Sequence, residues 1–87
     1  MELEQLRAFA AVAETGSFTR AAERLYTSHS SISRAVTALE RELGVRLIER
    51  GNRVIGLTEA GEILLRGAKD ILEREEKLKT EISKCAT

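Results

Sequence analysis

Residues 17–44 read SFTRAAERLYTSHSSISRAVTALERELG, and this stretch decides the fold. Ser17 or Thr19 caps a short helix whose inward stripe is Phe18, Ala21, Ala22 and Leu25. The paired alanines let a neighbouring helix approach closely. Tyr26 and Thr27 leave room only for a tight turn before Ser28, a good N-cap for the next helix. Along that helix Ile32, Val36, Leu39 and Leu43 fall at steps of 4, 3 and 4 on one apolar face, and Gly44 ends it. The opposite face of its first two turns carries Ser30, Ser33, Arg34 and Thr37. A merely solvated face favours Glu and Lys for their helix propensity; small polar side chains around one arginine depart from that pattern.

Upstream, Leu6, Phe9, Ala10 and Ala13 recur at i, i+3, i+4 and i+7, which predicts an amphipathic helix over residues 3–14, stopped by Gly16. Downstream, two short β-prone runs, Leu47 to Glu49 and Val54 to Leu57, flank Arg50-Gly51-Asn52-Arg53 and predict a hairpin. Thr58 caps a last helix running from Glu59 to about Lys84. On it Leu57, Gly61, Leu64, Ala68, Ile71, Glu75, Leu78, Ile82 and Cys85 alternate in steps of 4 and 3, a heptad seam interrupted by Glu75. At about 1.5 Å per residue this helix is roughly 39 Å long, more than so small a core needs. Leu64, Ala68, Ile71, Leu78 and Ile82 are therefore expected to pair with a second copy. The expected architecture is mainly α: a winged helix-turn-helix of three helices and a small β-hairpin wing at 1–58, then a long dimerisation helix at 59–87.

Composition narrows the function. Hydrophobic residues at 43% and charged residues at 32% suit a globular chain and are too apolar for disorder. The longest apolar run, Ala8 to Ala13, is too short to span a membrane, and no leader pattern precedes it. A lone Cys85 forms no internal disulfide, so a reducing cytoplasmic setting is the simplest expectation. With one histidine, one cysteine and no glycine-rich phosphate loop, nothing suggests a catalytic site, a cofactor or a metal centre. The zero net charge hides an asymmetry. Residues 20–53 hold seven arginines against Glu23, Glu40, Glu42 and Glu49, net +3, whereas the flanking segments are acidic. Arginine forks onto phosphate and guanine edges better than lysine does.

A helix fits the DNA major groove, and its N-terminal residues reach the base edges. Ser28 to Arg34 occupy that end of the third helix. Arg53, at the tip of the expected wing, suits an adjacent minor groove, whose negative potential attracts arginine. Arg41 and Arg50 are expected to pair with nearby glutamates instead. A rival reading from a different class is a winged-helix protein-interaction module that assembles through the third helix and the long helix. It requires an apolar outer face on the third helix.

The run from Ala8 to Gly61, and above all GSFTRAAERL, SISRAVTALERELGVRLIER and LTEAG, resembles the N-terminal segment of the LysR-type transcriptional regulators. The resemblance is gapless and extends over nearly the whole chain. It implies binding to imperfect dyad operators in double-stranded DNA by homodimers or dimers of dimers. It also implies a C-terminal effector-sensing domain beyond residue 87, so that this segment binds no effector. Base-reading positions of the family fall on His29, Ser30, Ser33 and Arg34, with Thr37 on the same face, and the wing arginine falls on Arg53. Phosphate contacts fall around Ser17, Thr19, Thr27 and Ser31. Two departures stand out: His29-Ser30 where the family usually has Gln-Pro, and Gly56 where a basic residue often sits late in the wing.

Overall fold

In the computed structural model, which describes residues 1–50 and 55–86, local signals in the chain set the helix ends. Helix α1 (Leu3–Thr15) stops where Gly16 takes the left-handed conformation, φ 69°. Helix α2 (Phe18–Arg24) starts at Ser17, whose hydroxyl accepts the Arg20 N–H at 3.1 Å. Helix α3 (His29–Leu43) starts at Ser28, whose hydroxyl accepts the Ser31 N–H at 3.1 Å, and ends at left-handed Gly44. Strands β1 (Ile48–Arg50) and β2 (Ile55–Leu57) pair antiparallel, with Ile48 opposite Leu57 and Arg50 opposite Ile55. The turn expected at Gly51-Asn52 lies outside the described residues. Helix α4 (Glu59–Ser83) starts at Thr58, whose hydroxyl accepts the Gly61 N–H at 3.0 Å.

Helix α1 is the central element. Leu6, Ala8, Phe9, Ala10, Ala11 and Val12 are all buried, a wider surface than the single stripe the spacing predicts, because α2, α3 and α4 all pack on it. Phe9, Val12, Val36 and Leu39 are sealed from solvent, and Leu47 and Ile48 complete the core. The Glu40 carboxylate accepts the Leu47 N–H at 2.8 Å and the Ile48 N–H at 3.4 Å, which ties the start of β1 to α3. Leu43, expected on the buried face, is instead 41% exposed. It lies in the last turn of α3, where Leu47 and Ile48 take its place in the core.

The heptad seam of α4 divides in two. Gly61 and Ala68 are buried and Leu64 packs on the core, so the first half serves this chain's own α1. Glu75, the polar interruption of the seam, meets Arg7 of α1 in an ion pair. Ala68, expected to pair with a second copy, is instead sealed within this chain, whereas Leu64 is half-buried. Beyond Glu75 the helix stands clear of the domain, which gives the molecule its 52 Å long axis against 24 and 18 Å.

Candidate nucleic-acid interface

At the start of α3 a row of hydroxyls is ordered by its own hydrogen bonds. The Ser28 hydroxyl donates to Ser31 Oγ at 2.9 Å and lies 3.2 Å from that of Ser30. An Arg34 guanidinium nitrogen donates to Ser31 Oγ at 3.4 Å, which leans the arginine toward the helix N-terminus. His29, Ser30 and Arg34 are exposed, and Ser33 and Thr37 are half-buried at its edge. Spacing puts Ser30, Ser33, Arg34, Thr37 and Arg41 on one side of the helix, opposite buried Ile32, Val36 and Leu39. The face is polar along its length, which disfavours an apolar protein partner there. It presents short donors and acceptors around a planar cation, the equipment needed to read base edges.

The N-terminus of α2 lies beside that of α3, because the Phe18 and His29 rings stand 5.5 Å apart, tilted by 39°. Ser17 and Thr19 flank Phe18 and so border the same surface, Thr19 exposed and Ser17 half-buried. Thr27 is exposed in the intervening turn and Ser31 half-buried in the first turn of α3. Tyr26 shapes that turn. The Tyr26 N–H donates to Glu23 O at 3.3 Å and the Thr27 N–H to Ala22 O at 2.9 Å, closing α2 in a Schellman motif. Its left-handed position, usually a glycine, is held by Tyr26 with φ 55°. The side chain is 97% exposed.

Some expected cations are placed differently. Arg53 lies outside the described residues. Arg50 does not pair with a glutamate among the described residues; its guanidinium lies over the Phe18 ring, 5.1 Å from the centroid. Arg41 likewise makes no ion pair among them, whereas Arg24 pairs with Glu14 at 2.8 Å. The contact of Phe18 with His29 and Arg50 escapes a helical-wheel reading, which assigns Phe18 wholly to the core. The clue available in sequence is that Phe18 is the first residue of its helix, where a side chain reaches past the end of the element. The Met1 ammonium, raised above its ordinary value by its hydrogen bond to Glu42, is remote from this surface. Among the described residues no group of three or more His, Cys, Asp or Glu is placed to hold a metal ion, and no helix is long and apolar enough to cross a membrane.

On α4, Ile63, Ile71, Leu78 and Ile82 are 58%, 43%, 44% and 68% exposed, an apolar surface continuing past the point where α1 ends its cover.

A tight turn between α2 and α3, a polar outward face on α3 and a two-stranded hairpin behind it together define a winged helix-turn-helix protein. Residues 3–62 match the bacterial regulatory helix-turn-helix proteins of the lysR family, and the chain belongs to that family. It is 51% identical over 72 residues to an uncharacterized HTH-type transcriptional regulator in the ibpB-leuC intergenic region of Azotobacter vinelandii, covering 83% of this chain and 50% of that protein. It is 49% identical over 79 residues to the Hca operon transcriptional activator HcaR of Escherichia coli (strain K12), covering 91% of this chain and 27% of that protein. The chain thus spans half or less of the length of these two relatives. Among solved structures it is similar to the CbnR DNA-binding domain in complex with DNA, with 44% identity, TM-score 0.89 and all of both chains covered. It is also similar to the BenM DNA-binding domain in complex with catB site 1 DNA, with 37% identity, TM-score 0.94, and 100% and 97% of the two chains covered.

Proposed function

We propose that this chain is the DNA-binding segment of a bacterial transcription regulator that acts as a homodimer on an imperfect dyad operator in duplex DNA. The observation that carries the reading is the outward face of α3, with Ser30, Ser33, Arg34 and Thr37 beside His29, in a fold whose relatives were crystallised on DNA. In this reading residues 1–58 engage DNA. Helix α3 enters the major groove, and His29, Ser30, Ser33 and Arg34 approach the base edges. Hydroxyls of Ser17, Thr19, Thr27 and Ser31 take phosphates, and Arg53 takes an adjacent minor groove. The helix over 59–87 pairs with its copy through Ile71, Leu78 and Ile82, and Ile63 widens that surface. A second copy doubles the groove contacts and matches the two-fold symmetry of a dyad. The role is regulatory and non-catalytic, and belongs in the cytoplasm with the chromosome.

The test is selection of bound duplexes from a random pool, followed by titration of the winning site across salt. A dyad with a defined half-site is expected, and log affinity should fall with log salt by about 0.9 per phosphate neutralised. Binding that selects no sequence and stays flat with salt would overturn the reading.

A further inference from the structure

Three element ends meet at one point of the candidate interface. Phe18 is the first residue of α2, His29 the first of α3 and Arg50 the last of β1. The Phe18 ring stands 5.5 Å from the His29 imidazole and tilted to it, and the Arg50 guanidinium lies 5.1 Å from the Phe18 centroid. Tilted aromatic pairs and cations over ring faces are both attractive arrangements. His29 is exposed, and no hydrogen bond to its ring exists among the described residues, so packing on Phe18 is what orients it. Phe18 is half-buried against the core and cannot swing freely. Arg50 is exposed and free of ion pairs among the described residues, so its stacking faces no competing carboxylate.

We infer that Phe18 is a positioning residue for His29, held in place by Arg50, so that base preference at the step His29 faces depends on a residue at the base of the wing. The inference rests on the DNA-binding reading above. Arg50 needs no contact with a base to affect what is read. It presses the Phe18 ring, and the ring sets the imidazole against the groove. Wing and reading helix thereby dock as one unit.

Duplex selection with the wild type, Phe18→Leu, Phe18→Tyr, Arg50→Ala and the Phe18→Leu/Arg50→Ala double variant is the test. Phe18→Leu and Arg50→Ala should each weaken discrimination at the same single half-site position, by about two- to tenfold, the range such a pair supplies. Phe18→Tyr, which keeps the ring, should retain it, and the double variant should lose no more than the worse single variant. In the free protein, the His29 ring proton resonances should move in both single variants. Arg50→Ala that weakens all duplexes alike, with an unchanged profile, would make Arg50 a phosphate contact and overturn the inference. Phe18→Leu that fails to fold leaves Arg50→Ala, at an exposed site, to decide. A wild type that selects no sequence removes the DNA reading and this inference together. A selective wild type with unaltered variant profiles removes this inference alone.

Discussion

Two glycines six residues apart on α4 should respond in opposite directions to the same substitution. Gly61 is buried in the first turn, and a Cβ built on it would fall well inside contact distance of the Leu47 carbonyl oxygen, 3.1 Å from the carbonyl carbon and 3.4 Å from Leu57 Cβ. The obstacle is backbone, so no rotamer change relieves it. That carbonyl accepts the Thr58 N–H at 3.1 Å, and Thr58 Oγ1 donates to Arg46 O at 2.6 Å. Moving α4 off β1 therefore strains both bonds at once. Each is worth about 1 kcal/mol, and overpacking adds about 1–3 kcal/mol. Against this, alanine gains about 1 kcal/mol in helix propensity. Gly61→Ala should thus lose about 2–4 kcal/mol. At Gly67 a Cβ meets nothing within 4 Å, so Gly67→Ala keeps the propensity gain, about 0.5–1 kcal/mol. Urea unfolding of the two variants and wild type at one protein concentration measures both. A Gly61→Ala chain as stable as wild type would refute the close approach of α4 to Leu47.

Arg34→Ala should cost roughly 1–3 kcal/mol of binding and relax preference at one base position, whereas Arg53→Ala should weaken A/T-rich flanks most; parallel titrations on operator and flank variants distinguish them. Neutral imidazole cannot copy the bidentate amide pairing with adenine, so His29→Gln should shift selected duplexes toward adenine at one half-site position; identical selections would make His29 a bystander. Tyr26 holds a left-handed backbone with its side chain in solvent, so Tyr26→Gly should raise stability by up to about 1 kcal/mol in urea unfolding, and a loss would mean the ring packs. Ile71→Asp should shift sedimentation toward monomer, while Gly67→Ala should not; dimers insensitive to Ile71→Asp would place the pairing surface elsewhere.

The local grammar of the chain was legible without coordinates. Gly16, Ser17, Ser28, Gly44 and Thr58 sit where helices stop and start, because capping is settled by a few neighbouring backbone groups. The buried stripe of α3 through Leu39 and its polar counterface followed from 3.6-residue periodicity, and with them the candidate reading surface. Contacts that depend on distant parts of the chain were not legible. The motif containing Gly61 could be recognised in sequence, but its reason, a backbone carbonyl 14 residues earlier pressed against α4, needs the third dimension. Heptad spacing finds an apolar seam but not the surface that covers it, so tertiary packing alone buries Ala68, half-buries Leu64 against the core and leaves Ile71, Leu78 and Ile82 outside. Glu75 reads as a flaw in the seam until Arg7, 68 residues away, is found opposite it. Phe18, His29 and Arg50 meet only because three element ends converge. Periodicity describes one element at a time, whereas such contacts depend on how elements cross.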